Sequence, residues 1–129
     1  MAEFNITEVD RTLYKGKRLL DSGRYREAIE VHNELISFAE NFKDNTDAIL
    51  TLETSLNNRG MSLCKLGLLK NDKDLYLKGM DDFKYSISFT EKEEERNWLT
   101  AYSNLKFSEK EIENFDKPRN DTSNFFRAI

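Results

Sequence analysis

Gly16-Lys17-Arg18-Leu19-Leu20-Asp21-Ser22-Gly23 returns further along the chain as Gly60-Met61-Ser62-Leu63-Cys64-Lys65-Leu66-Gly67, with glycine at both ends and leucine in fourth place. Behind the first copy stand Tyr25, Ala28, Ile29 and His32. Behind the second, after extra residues, stand Tyr76, Gly79, Met80 and Phe83. Each unit therefore reads as a helix, a turn and a second helix, with small residues at matching points. Small residues let two helices cross closely, so Gly16 should face Ala28 and Gly60 should face Gly79. A helix–turn–helix unit repeated in this way is the mark of a helical repeat.

Apolar periodicity extends this reading to about five helices. The first is predicted over 6–22, with Asn5 as N-cap and Glu8 at the capping-box spacing. Its inward face would be Ile6, Val9, Leu13, Gly16 and Leu20, and Gly23 would end it, because glycine accepts the left-handed cap conformation. The second is predicted over 24–41, with Tyr25, Ala28, Ile29, His32, Leu35, Ile36 and Ala39 inward. The third, over 46–66, would bury Ala48, Ile49, Leu52, Leu56, Leu63 and Cys64 and end at Gly67, with 68–73 as a long turn. The fourth, over 73–88, would bury Leu75, Tyr76, Met80, Phe83 and Ile87. The fifth, over 91–115, opens on acidic residues 91–95, which suit the positive end of a helix dipole. Trp98, Ala101, Tyr102, Leu105, Ile112 and Phe115 would share its inner face. The expected fold is all-α, a right-handed stack of these helices over residues 1–117. Residues 118–129 read as a flexible C-terminal tail, although Phe125, Phe126 and Ile129 give that polar tail an apolar end.

The doubled pattern resembles the tetratricopeptide repeat, a helical scaffold that binds other proteins. Residues 9–42 fit one unit and 53–90 a second, making two such hairpins, while the fifth helix resembles the capping helix that ends an array. The period departs from the family's roughly 34 residues; Gly60 follows Gly16 by 44. Trp98 and Leu105 match the start of a third unit, with Tyr102 at its small-residue position. What the resemblance implies is a concave groove lined by the first helix of each unit. Carried over, that groove includes Asp10, Leu13, Lys17 and Asp21, then Thr54, Asn57, Asn58, Met61 and Lys65, then Arg96 and Leu99. One subgroup of the family grips a carboxylate with lysine and asparagine. Asn58 and Arg96 suit such a clamp, but Leu13 and Lys17 stand where lysine and asparagine would be.

Composition narrows the function. The net charge of −4 does not suit a general nucleic-acid coat, which needs clustered cations to displace counterions. Residues 11–26 nevertheless carry Arg11, Lys15, Lys17, Arg18, Arg24 and Arg26, a local basic stretch that would serve a nucleic-acid binder or a solvated helix face. Cys64 is the only cysteine, so no internal disulfide forms and a reducing cytoplasm is the expected compartment. No signal peptide and no membrane span are expected. His32, the only histidine, reads as a packed, hydrogen-bonded core residue. Without a cysteine–histidine cluster, a calcium loop or a phosphate-cradling glycine loop, neither a metal nor a cofactor is expected. No catalytic residues are expected either.

The expected function is a non-enzymatic adaptor that binds another protein through the groove. A second alternative comes from size and composition, which resemble the small host-takeover proteins of T4-like bacteriophages, including RNA-polymerase-associated ones. That would make the chain a modulator of transcription docked on bacterial RNA polymerase in the host cytoplasm. Nucleic-acid binding through residues 11–26 is a third. Self-association also stays open, because a short array exposes apolar surface at its ends. The end of the tail, with Phe125 and Phe126, is expected to dock in an apolar groove on its own body, on a partner or on a second copy, or else to remain disordered.

Overall fold

A computed structural model describes residues 3–89, 96–113, 115 and 126–129. It holds five α-helices: α1 Ile6–Asp21, α2 Tyr25–Ala39, α3 Thr46–Lys70, α4 Lys73–Ile87 and α5 Arg96–Ile112. No strand occurs among the described residues. The acidic stretch 91–95, the residues 116–125 and Phe125 within them lie outside the described residues.

The helix boundaries follow from caps. Asn5 accepts hydrogen bonds from the amides of Thr7 (3.1 Å) and Glu8 (3.2 Å) and so starts α1. Asn45 does the same for α3 through Asp47 (2.8 Å) and Ala48 (3.3 Å), and Asp72 starts α4 through Leu75 (3.2 Å). After α1 the chain turns at Gly23, whose φ of 78° is easy only for glycine. The end of α3 differs from expectation. The helix runs on past Gly67 to Lys70 and is capped by Asn71 in the left-handed conformation, φ 51°. The turn to α4 is therefore only Asn71 and Asp72. Gly67 is glycine for a different reason. A Cβ there would lie 2.8 Å from the Asp72 carbonyl oxygen and 2.9 Å from the Tyr76 nitrogen, so its absence lets α4 start hard against α3.

Sequential helices pack as antiparallel hairpins, most extensively α3 with α4, then α2 with α3. Helix α3 also touches α1 and α5. These three form one layer of the stack, with α2 and α4 in the other. As the central element, α3 is buried nearly all round. Ile6 is not inward as its spacing suggested. It stands exposed in the first turn of α1, while Phe4 just before it packs on Phe38 and Phe42, and the buried positions of α1 are Val9, Gly16 and Leu20.

The close crossings are the skeleton of the fold. At α3–α4 a Cβ on Gly60 would sit 2.7 Å from the Gly79 carbonyl oxygen, and one on Gly79 would sit 2.5 Å from the Gly60 oxygen. The expected pair is therefore in place. At α1–α2 the expected pair is not. Gly16 faces the ring of His32, whose Cε1 and Nε2 would be 2.7 and 2.8 Å from an added Cβ. The imidazole is larger than Ala28 and reaches across to the gap that Gly16 leaves. Arg59 then ties three helices together: it forms a two-pronged ion pair with Asp82 of α4 (2.7 and 2.8 Å) and donates to Asn33 of α2 (2.9 Å). The guanidinium's fixed fork suits this planar, partly buried arrangement.

Two apolar clusters fill the stack. One joins Ile36, Ala39, Ala48, Leu52 and Leu56, closed by Phe4, Phe42, Ile49 and Phe89. The other gathers Leu20, Ala28, Met61, Cys64, Tyr76, Met80, Phe83 and Phe115. Its remaining member is Phe126, far away in sequence, and that position defines the site described next.

His32 corrects a second expectation. It is fully buried, yet neither ring nitrogen has a hydrogen-bond partner among the described residues. Burial, helped by the positive charge of Arg59, lowers its pKa from 6.5 to about 4. The unfolded chain takes up this proton as pH falls through 6.5, whereas the folded chain resists until about 4. Above pH 6.5 the group contributes no pH dependence; below it, stability falls. Between pH 7 and pH 4 the wild-type chain should lose about 3 kcal/mol more than His32→Leu, measured by urea unfolding at both pH values. Parallel losses in the two proteins would mean that His32 is hydrated or paired.

Candidate peptide groove

Residues 126–129 lie along the layer formed by α3 and α5, held mostly through their main chain. The Arg127 N–H donates to Asn104 Oδ1 (2.9 Å). The Arg127 carbonyl oxygen accepts from Asn104 Nδ2 (2.7 Å) and from Asn57 Nδ2 (3.0 Å). Two residues on, the Ile129 N–H donates to Asn58 Oδ1 (2.9 Å), and the Ile129 oxygen accepts from Asn58 Nδ2 at 3.4 Å. Three side-chain amides thus stand in for a neighbouring β-strand, serving alternate residues of the segment as a ladder would.

The asparagines also hold one another. Asn104 Nδ2 donates to Asn57 Oδ1 (2.9 Å), and Asn57 Nδ2 donates to Asn58 Oδ1 (3.2 Å). All three are at most 1% exposed. A buried amide without partners costs free energy, so this network depends on the main chain lying across it.

Phe126 fills the apolar end of the groove. Its ring is stacked near Phe83 (centroids 6.0 Å), edge-on to Phe107 (4.9 Å) and edge-on to Tyr76 (6.4 Å). Tyr76 is fixed from behind by its hydroxyl, which donates to the Ser108 carbonyl oxygen (3.1 Å), and by the edge of Phe115 (5.4 Å). The side chain of Arg127 points the other way and is exposed.

The residues expected to line a groove divide into three groups. Asn57, Asn58 and Phe126 come together here. Met61 is also buried, but as part of the apolar cluster beneath, and Lys65 and Thr54 are half-buried on α3. On α1, Asp10, Lys17 and Asp21 are exposed and Leu13 is half-buried; on α5, Arg96 and Leu99 are exposed. Phe125 lies outside the described residues. Asn104 was missed. Alignment to a repeat placed Tyr102 at the tight position, whereas the structure buries Ala101 there and leaves Tyr102 outside, stacked on Trp98 at 4.8 Å. With the face re-registered, Ala101, Asn104 and Ser108 are the buried positions of α5. An asparagine at helical spacing between two small buried residues was the available signal.

Other surface features are separate from this groove. The basic stretch forms a cleft of about 270 Å³ lined by Arg11, Tyr14, Lys15, Arg18, Leu19, Ser22 and Arg24. Arg18 lies over the Tyr14 ring at 5.8 Å, and Arg24 pairs with Glu27. A second cleft of about 270 Å³, at the other end of α1, carries Glu3, Glu8 and Glu34 around Val9, Leu35 and Phe38. Cys64 is buried, with its thiol held near the Tyr76 carbonyl oxygen (3.5 Å), and burial pushes its pKa well up. It is a neutral packing group, in a different helix crossing from His32. Among the described residues no cluster of histidine, cysteine, aspartate or glutamate could hold a metal ion. Among them, too, no helix is long and apolar enough to cross a membrane.

The chain is an all-α helical stack whose own residues 126–129 lie against the α3–α5 layer. No protein family, no curated protein and no solved structure matches it.

Proposed function

We propose that this chain is a non-enzymatic protein-interaction module, an adaptor similar to tetratricopeptide-repeat proteins, that takes an extended segment of another protein on its α1–α3–α5 layer. The observation supporting this is the cluster of Asn57, Asn58 and Asn104, three buried amides whose hydrogen bonds are completed by a length of extended main chain. Side chains that read main chain serve recognition of a peptide. Exposed charges on the same layer, Lys17 on α1 and Arg96 on α5, would guide the approach and the flanks of the partner.

Charge reversal at both, Lys17→Glu with Arg96→Glu, tests the reading. Both side chains are exposed, so unfolding stability should stay within about 0.5 kcal/mol of wild type. Affinity for the partner, read by co-purification and then titration, should fall about tenfold, as expected for the loss of two peripheral charges. Unchanged affinity would move the binding surface off this layer. Bacterial RNA polymerase is the partner that the phage-like size and composition suggest. Its subunits should accompany the wild-type chain from a bacterial lysate and be depleted with the reversed-charge variant.

A further inference from the structure

We propose that the α3–α5 groove is a site for extended peptides that anchor on phenylalanine, and that residues 126–129 occupy it as a self-ligand which a partner segment must displace. This rests on the interaction role proposed above and names the chemistry of the ligand.

The contacts at the groove sort into two kinds. Those to residues 127 and 129 go to main-chain N–H and carbonyl groups, so they are blind to side-chain identity at those positions. The contact that discriminates is the ring of Phe126 among Tyr76, Phe83 and Phe107. Arg127 is exposed, and its guanidinium donates to the carbonyl oxygen of Phe126 (3.2 Å). Ala128 packs, half-buried, against the apolar cluster, leaving room for a small side chain. The groove therefore accepts Phe, then any residue, then a small residue, then any residue, with the main chain lying across the three asparagines.

The docked stretch is also built to be exchanged. A permanent core element is held most cheaply by apolar packing, since buried amides must recover the hydrogen bonds they lose from water. Here the amides also bond one another, Asn104 to Asn57 and Asn57 to Asn58, which holds them in one row while their remaining donors and acceptors need a main chain across them. Such a row of donors and acceptors accepts any extended backbone of the right length. The resident segment has the advantage of its covalent tether, equivalent to a millimolar local concentration. A free peptide of the same sequence is therefore largely excluded until the resident ring is removed.

The test uses the full chain and a fluorescein-labelled peptide, Asn-Phe-Phe-Arg-Ala-Ile, blocked at both ends so that terminal charges play no part. Fluorescence anisotropy should show at least tenfold tighter binding to Phe126→Ala than to wild type. The same peptide with both phenylalanines changed to alanine should bind neither protein, and Asn104→Leu in the Phe126→Ala background should abolish binding. Equal affinity for wild type and Phe126→Ala, or indifference to the peptide's phenylalanines, would overturn the proposal. If Phe126→Ala does not fold, excess peptide is added to wild type and the side-chain amide resonances of Asn57, Asn58 and Asn104 are followed by NMR. They should shift as the resident segment is displaced; unmoved resonances would overturn it. Dimerisation of wild type that the peptide abolishes would put the segment of a second copy in the groove and overturn self-occupancy. Partner binding that persists in saturating peptide would leave the adaptor role standing and remove this site from it.

Discussion

Gly79→Leu is expected to lower stability by about 3 kcal/mol or more, enough to shift thermal unfolding far below that of wild type. The first carbon of the new side chain would already lie 2.5 Å from the Gly60 carbonyl oxygen and 2.6 Å from Cys64 Sγ. One of those obstacles is backbone in the middle of α3, so the crossing cannot relax by a rotamer change. It can only separate, and α3–α4 is the most extensive helix contact in the molecule. Gly23→Ala is the control. An added Cβ there meets nothing within 4 Å, and the cost comes only from a φ of 78°. That substitution should lose roughly 1 kcal/mol. A Gly79→Leu chain that melts with wild type would contradict the α3–α4 crossing and the paired-glycine reading behind it.

Phe126→Ala is expected to lose about 3 kcal/mol, at the lower end for truncating a buried phenylalanine. The ring is 2% exposed and closes the cluster containing Tyr76, Phe83 and Met61. The lower end applies because the segment can lift away and let water reach the emptied pocket. Lifting away also strips main-chain partners from Asn57, Asn58 and Asn104, so the loss should be cooperative with those contacts. In a double-mutant cycle, Phe126→Ala and Asn104→Ala should therefore be less than additive. Full additivity would mean that ring and main chain dock independently. Unchanged stability in Phe126→Ala would mean that the segment does not dock on its own body.

The first of these results rests on features visible in the sequence, and the second shows where that reading stopped. Paired small residues at helical spacing specify a close crossing almost by themselves, because little else explains glycine inside a helix. Gly60 and Gly79 were legible for that reason. Gly67 looked the same and was misassigned as a cap. A close helix crossing and a helix end both call for glycine, and only the position of Asp72 and Tyr76 separates the two uses. Asn57 and Asn58 were placed in the groove by register. Asn104 was not, because register on α5 slips by one between Ala101 and Tyr102, and that slip depends on which side chain the neighbouring helix can admit. His32 was expected to find a hydrogen bond. Its ring instead packs against Gly16 across the α1–α2 crossing, with Arg59 close enough to act on it, a tertiary arrangement that no local pattern encodes. The docking of residues 126–129 is a contact between distant parts of the chain. Sequence could flag the apolar end of a polar stretch, but not which face it meets.

Amide hydrogen exchange at Arg127 and Ile129 tests the central claim most directly. Both N–H groups donate to asparagine side chains at 2.9 Å, so in the folded chain both should exchange at least a hundredfold more slowly than in an unstructured peptide. That protection should disappear in Phe126→Ala. Exchange of both amides at the unstructured rate in the wild-type chain would contradict the seated segment, and with it the groove as described.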